Sequence, residues 1–493
     1  MTLIALCDLT LKHRVSLESR VLRLATSPFI TGAADIPANT AYAPDMTEFP
    51  VIEASLFGPA RTRGRSEISA GSLVLNNMDG RYDNLIDWVP GDLVIRQGDA
   101  GGPVSGLATI LTGKAGQAVL RGESVEILVQ DFLAGFARGL AETVYLGTNS
   151  GTSGNEGLST DIKGQLKPVA LGKCLQVPLV PANAAGQRYQ FHDGAANQII
   201  EAYGNGSPLP KTDDAANGLI TFTGNIDGLN LTADVRGMGA GAAYISSAAN
   251  LIQHIAMTRA GVLAVNAEDV AELNIQCPQE LGAFYNAPVT CGEAADFIAG
   301  GNRVWYAPDA TGVLRMGRLT PPATSPKAAL RPEMLTGGAI QILQSGDPEG
   351  GRIVWRVTVR GQKNWRVAER SALAGSLTDE RMAELTAEWR SVTAEDAAIK
   401  AIYPDATEIS IDTALTSLAD MQKQANELLA IYGKPQQWLR VYPGEEFIRG
   451  VACGDVVSLT YPRYGLSLGA WFSVMRLLRR GAFVEMDLWR VLP

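Results

Sequence analysis

The chain has 493 residues, 46% apolar and 19% charged, which supplies cores for about three domains of ~150 residues and excludes global disorder. The 42 Lys and Arg stand against 51 Asp and Glu, a formal charge of −9, which argues against sequence-independent binding to a phosphate backbone. An acidic chain does suit a wall past which nucleic acid slides without sticking. Five scattered cysteines, Cys7, Cys174, Cys277, Cys291 and Cys453, form no C-x-x-C pair, so buried free thiols in a reducing compartment are expected. The first residues lack the regions of a signal peptide. No apolar run approaches the ~18 residues of a membrane helix. Synthesis in a cytoplasm is the expectation.

Residues 1–140 read as β. Short strands are predicted at 51–57, at 73–77 before the turn Asn77-Met78-Asp79-Gly80, at 93–96 after Pro90-Gly91-Asp92, and at 108–112 and 124–129. Regularly spaced short strands predict a barrel or sandwich. Residues 141–217, rich in Gly, Asn, Ser and Pro, read as loops over short strands. Residues 218–320 mix types: a strand at 220–223, a helix from Ser247 to about Ala260 with Leu251, Ile252, Ile255 and Ala256 on one face, and a helix at 292–298. Strands 304–307 and 313–316 pair as a hairpin across Pro308-Asp309-Ala310-Thr311-Gly312. Residues 320–330, opening Thr320-Pro321-Pro322-Ala323-Thr324-Ser325-Pro326, read as a linker. Beyond it come a strand at 352–359 and a helix at about 378–391. A second helix, at about 415–432, carries the stripe Leu418, Gln422, Ala425, Leu428, Leu429 and Tyr432 and is stopped by Gly433 and Pro435. The chain from Trp438 onward is β. The expected fold class is α+β, mainly β: two β-barrel or sandwich modules, 1–140 and 331–493, flank a loop-rich mixed α/β region at 141–320, and the second module holds two helices.

Candidate chemistry is sparse. Gly465-Leu466-Ser467-Leu468-Gly469 matches G-x-S-x-G. A nucleophile elbow needs a helix after its turn and a histidine later in the chain. Here Ala470-Trp471-Phe472-Ser473-Val474 reads as strand, and His13, His192 and His254 all lie upstream. Gly237-Met238-Gly239-Ala240-Gly241-Ala242 fits G-x-G-x-x-A, but no acid closes the next short run, so a Gly-Ala connector is expected. The isolated histidines form no metal-ligand motif. Asp379-Glu380 and Glu395-Asp396 read as helix-start acids. Trp305, Trp355 and Trp438 fall in strands, which favours packing over carbohydrate binding. No catalytic, cofactor-binding or metal-binding residue is therefore nominated.

A repeat is more informative. Gly91-Asp92-Leu93-Val94-Ile95, strand 108–111 and Val125-Glu126-Ile127-Leu128-Val129 are followed much later by Gly454-Asp455-Val456-Val457-Ser458-Leu459, strand 471–474, a turn at Arg480-Gly481 and Val484-Glu485-Met486-Asp487-Leu488. Gly91 and Gly454 then hold equivalent places in two like modules, and Ser467 lies in a loop before a strand. Arg476, Arg479 and Arg480 lead into the last turn, either solvated or reaching an acidic neighbour at a ring contact.

These Gly-Asp and Val-Glu strands, the helical run 412–432 before Gly433, and Leu73-Val74-Leu75-Asn76-Asn77-Met78-Asp79-Gly80 before Leu85-Ile86-Asp87-Trp88 resemble the bacteriophage tail baseplate hub and tail-tip protein family. The resemblance spans most of the chain and is poorest at 141–217. It implies a structural virion protein, not an enzyme, in which three copies of two like modules offer six faces to a hexameric tail tube. It further implies a homotrimer at the tail tip, linking tube to tip and lining the channel for tape-measure protein and DNA. The partners would be a distal tail or tail tube protein, the tape-measure protein and a central fibre or receptor-binding protein, with DNA only in passage. A hexameric distal tail ring protein and a tail-associated cell-wall hydrolase are the alternatives. Some relatives bind an iron–sulfur cluster through grouped cysteines, which the dispersed cysteines here do not match, so no cofactor is expected.

Overall fold

Alternating apolar residues build the N-terminal sheet. The computed structural model describes residues 3–48, 50–64, 66–129, 133–309, 311–323, 325–480 and 483–492. The first strands are β1 (Leu3–His13), β2 (Ser19–Ala25) and β3 (Met46–Glu48). A hairpin follows, β4 (Ile52–Ser55) with β5 (Glu67–Ala70). Next come β6 (Ser72–Asn76), β7 (Trp88–Asp99), β8 (Ala108–Leu120) and β9 (Ser124–Val129). Seven of these form one sheet in the order β2-β1-β7-β8-β9-β6-β3. Leu73, Leu75, Leu93, Ile95, Leu111, Val125 and Ile127 fill its concave core with Cys7, Leu9 and Leu11 of β1.

The second sheet is built from β10 (Ala328–Leu330), β11 (Leu335–Ile342), β12 (Gln436–Pro443), β13 (Val456–Leu459), β14 (Ala470–Arg480) and β15 (Phe483–Val491). Its order is β10-β13-β14-β15-β12-β11. Setting aside β2 and the β4–β5 hairpin, each sheet places its strands, numbered in chain order, as 1-4-5-6-3-2. The bulges agree too. Pairing shifts between Ala115 and Ala118 where β8 meets β9, and between Val474 and Arg476 where β14 meets β15. The copies differ in their first strand, antiparallel for β1–β7 and parallel for β10–β13. Counted from the bulge, Asp92 meets its partner Lys114 one residue earlier than Asp455 meets Val474. Gly454 has φ +90°, whereas Gly91 lies inside β7 with an ordinary φ.

Between the sheets, strands Val169–Pro178, Ala196–Gly204, Leu231–Met238 and Gly282–Tyr285 belong to a five-stranded sheet. It packs on a four-stranded sheet through Val177, Ile199, Val235, Phe191, Ile220 and Phe222. Residues 141–217 are thus richer in strand than their Gly and Asn content suggested, because those residues sit in turns and irregular steps between the ladders. Helix α1 (Ala248–His254), continued by one π turn, buries Leu251, Ile252, Ile255 and Ala256 as expected. Helices α2 (Ala267–Gln276) and α3 (Cys291–Gly300) follow, then the hairpin of Val304–Pro308 with Leu314–Arg318. Ala310 in its loop, Thr324 in the linker and Gly481 in the last turn lie outside the described residues.

Residues 343–435 form an insertion between β11 and β12. It carries a three-stranded sheet and three helices where two were expected: α4 (Asp379–Thr386), α5 (Ala397–Ile402) and α6 (Leu418–Tyr432). The helix expected over 378–391 stops at Thr386. Asn364 Nδ2 donates to the carbonyls of Glu384 and Ala387 and ends it, and Arg390–Glu395 becomes a strand. In α6 the buried face is Met421, Gln424, Ala425, Leu428, Ile431 and Tyr432, while from the expected stripe Leu418 is exposed and Gln422 and Leu429 are half-buried. With 43% strand and 18% helix, the chain is an α+β fold dominated by β.

Candidate assembly interface

The β4–β5 hairpin leaves the first sheet and joins the second. β4 pairs antiparallel with β14, Ser55 opposite Arg476 and Ile52 opposite Arg479, and Leu56 N–H donates to Met475 O at 2.9 Å. Residues 52–70 therefore cross from the N-terminal module into the C-terminal one, which the boundaries read from sequence did not include. The Cys453 thiol donates to Ala54 O at 3.2 Å.

Register builds a charged row under this pairing. Asp487 of β15 lies opposite Arg440 of β12 on one side and Arg476 of β14 on the other. Arg476 Nε donates to Glu53 Oε1 of β4 at 2.5 Å, and its Nη1 donates to Glu485. Arg440 grips Asp487 through Nε at 2.6 Å and Nη2 at 2.9 Å. Two guanidinium groups thus face three carboxylates, with the Asp487 side chain 0% exposed. Burial opposes the Arg476 charge, yet its bonds to Glu53 and Glu485 raise its pKa above the ordinary arginine value. The bond to Asp487 likewise raises Arg440. Next to the row, Arg479 donates to Glu445, whose carboxyl burial pushes up despite the guanidinium. Arg476 and Arg479 do reach acidic neighbours, but those neighbours are in the same chain.

A second clamp follows the same hairpin. Thr62, fully buried, donates its N–H and Oγ–H to Asp347 at 3.1 and 2.6 Å, and its Oγ lies 2.9 Å from Tyr432 OH. Arg63 pairs with Glu349, and Arg61 Nε donates to Gly346 O at 3.0 Å. Burial pushes the Asp347 carboxyl above its usual range although the Thr62 bonds pull it down. Burial, with Asp347 close by, pushes Tyr432 up to about 12. Where the two sheets meet the 304–318 hairpin, a mainly apolar cleft of about 270 Å³ is lined by Ile52, Ile110, Leu111, Trp305, Pro308 and Leu477. Ladder bonds, paired charges and apolar contact hold this junction together within the chain.

The residues weighed from sequence fall elsewhere. Ser467 is exposed in the loop between β13 and β14, with no hydrogen-bond partner among the described residues, and a strand rather than a helix follows it. Gly237 is the next-to-last residue of a strand flanked by two antiparallel neighbours, not part of a βαβ unit, and a Cβ there would meet Ala170 O at 2.1 Å. Close backbone packing, not phosphate binding, explains that glycine. His192 is buried and accepts from Ala170 N–H through Nδ1, and burial pushes its pKa down to about 4. His13 rests edge-on against Trp88 at 5.1 Å, and burial lowers His254. All five cysteines are free, and burial pushes the Cys453 thiol up to about 12. Asp379 and Glu380 sit in the first turn of α4, and Asp396 caps α5, but Glu395 ends a strand and pairs with Arg356. Trp438 is 3% exposed and Trp355 9%, both packed. Glu53, Thr62 and Asp347 were missed by sequence reasoning; only the apolar strand around Glu53 hinted at pairing.

The sequence matches no protein-family model and no curated protein. The structure is similar to a chain of the virion of a native gene transfer agent particle at 14% identity and TM-score 0.45, covering 68% of this chain and 86% of that one. It is also similar to a tail protein from Neisseria meningitidis MC58 at 12% identity and TM-score 0.41, covering 98% of this chain and 96% of that one. A prophage tail protein from Listeria monocytogenes EGD-e aligns at 9% identity and TM-score 0.41, covering 98% and 94% of the two chains.

Proposed function

We propose that this chain is a structural protein of a bacteriophage virion, a baseplate or tail-tip hub that joins the tail tube to the tip and lines the exit channel for tape-measure protein and DNA. The observation that supports it is internal duplication. Two sheets with the same 1-4-5-6-3-2 strand order occupy one chain and are stapled together by β4. A homotrimer of such a chain offers six like faces, which is what a three-fold hub needs to dock on a six-fold tube. The sequence resemblance points the same way. On this reading the protein has no catalytic role, acts at the virion tail tip, and has as partners a distal tail or tube protein, the tape-measure protein and a central fibre or receptor-binding protein.

Electron microscopy of the assembled tip tests this by copy number: three copies per tip support the hub, and six support a distal tail ring. A zymogram on peptidoglycan tests the hydrolase alternative, and a clearing band would overturn the non-enzyme assignment. Tight, salt-sensitive binding of purified protein to duplex DNA would contradict a non-adhesive channel wall.

A further inference from the structure

A second cleft of about 270 Å³ opens where the 343–435 insertion docks on the five-stranded sheet, and it shares no lining residue with the cleft at the module junction. Hydrogen bonds fix its inner wall. Gln176 is buried and holds a left-handed backbone at φ +49°, a conformation that costs a non-glycine residue free energy. Three bonds keep it there. Its N–H and Nε2 both donate to Asp234 Oδ1, at 2.7 and 3.1 Å, and its Oε1 accepts from Thr232 Oγ at 2.8 Å. Asn205 is left-handed as well, at φ +49°. Its N–H donates to Asn230 O at 3.0 Å, and Asn230 N–H donates to Asn205 Oδ1 at 2.9 Å. The insertion is tied to this wall through its backbone: Arg366 N–H donates to Gln176 O at 2.9 Å and Ala374 N–H to Asn205 O at 3.0 Å. The shape of the cleft is therefore formed before any ligand arrives.

The groups at its mouth are uncommitted. Arg366 Nη2 donates to Asn230 Oδ1 at 2.7 Å. The other guanidinium N–H groups, the Nδ2 groups of Asn205 and Asn230, and the Glu369 carboxylate have no partner among the described residues. Arg366 and Glu369 are both exposed and form no ion pair with each other. We propose that this cleft binds a neutral saccharide unit. A sugar hydroxyl both donates and accepts, so neighbouring hydroxyls need an acceptor and several N–H donors inside one small site. Glu369 is that acceptor, and Asn205, Asn230 and Arg366 are the donors. The C–H groups of the sugar need an apolar surface, which Val367, Leu373 and Leu385 supply. The Glu369 carboxylate beside Arg366 disfavours an anion, and an apolar ligand would strand the amide donors. Among the described residues no aromatic ring lines the cleft, so a single unit binds in the millimolar range. The inference is independent of the hub reading: sugar binding can fail while three copies per tip are still observed, and the reverse.

The test is saturation-transfer NMR, with titration, of the full chain against glucose, galactose, rhamnose and N-acetylglucosamine, with glucuronic acid as the anionic comparison. The expected result is that at least one of the neutral sugars binds, and that Glu369→Ala and Arg366→Ala each weaken it about tenfold or more. Glu369→Ala removes no hydrogen bond of the fold and keeps the wild-type circular dichroism spectrum. Arg366→Ala also removes the bond to Asn230, so if that variant loses the wild-type spectrum, Glu369→Ala decides alone. No binding by any of the neutral sugars overturns the inference, as does binding that Glu369→Ala leaves unchanged. Binding of glucuronic acid alone, lost in Arg366→Ala and kept in Glu369→Ala, overturns the neutral class.

Discussion

Replacing Arg476 with methionine tests whether the charged row holds the β4 hairpin onto the second sheet. Methionine keeps much of the length and apolar stem but leaves Glu485 and Asp487 to Arg440 alone and takes from Glu53 its ion pair. Removing one member of a buried pair costs about 3–5 kcal/mol, and because Arg440 remains, the lower end applies, ~3 kcal/mol. At about 1.4 kcal/mol per factor of ten, that is roughly two decades in the local opening constant. The assay is native-state hydrogen exchange at Leu56, whose amide donates to Met475 O. Its protection should fall about a hundredfold in Arg476→Met, while the amides of β6 in the first sheet change little. Adding Glu485→Gln removes a stranded charge and should recover part of the loss, a non-additive cycle. A loss under about threefold, or an equal loss in both sheets, would refute the reasoning.

The Asp347 clamp should depend on pH. Its carboxyl is raised above the ordinary 3.8, so the folded state holds this proton more tightly than the unfolded chain. Its contribution is greatest at and below 3.8 and is lost as pH climbs through the raised value. Asp347→Asn should flatten that dependence in the exchange of the Thr62 amide, and an unchanged pH profile would sink the idea. Ser467→Ala, at an exposed loop position, should shift stability by less than about 0.5 kcal/mol and leave phage infectivity intact. Infectivity lost with normal assembly would revive the hydrolase. Gly237→Ala forces a Cβ within 2.1 Å of Ala170 O and should cost about 1–3 kcal/mol in denaturant unfolding. A variant as stable as wild type would show that this backbone contact can relax.

Much of the fold was legible because local rules carry it. Strand alternation, the Gly-Asp openings and the Val-Glu closes exposed the repeat, and the observed strand orders agree. The four-residue face of α1 was legible for the same reason. Helix limits were less so. The end of α4 is set by Asn364, 20 residues before the Glu384 carbonyl it caps, and no local pattern reveals that bond. The α6 stripe was misplaced because Leu418, apolar but in the first turn, faces outward while Gln424 is buried and donates to Gly301 O at 2.7 Å. A polar side chain with a good partner can replace an apolar one in a core face, and composition cannot show the partner.

The interface was legible in chemistry but not in place. Arg476 and Arg479 were expected to seek an acidic partner, and they do, yet Glu53 lies 423 residues away in sequence from Arg476. Thr62 and Asp347 are 285 apart. Only the topology brings them together, and the topology is tightly tethered. β5 ends at Ala70 and β6 starts at Ser72, so Gly71 alone separates a strand added to the second sheet from a strand inside the first. Gly71 N–H donates to Val51 O at 2.8 Å, which holds the foot of the hairpin closed. With one residue of slack, about 3.5 Å of chain, the two sheets cannot slide past each other while β4 stays on β14. The tether therefore limits how far the two modules can separate within the chain. Under the hub reading, a near six-fold ring needs like modules held at a short, constant separation.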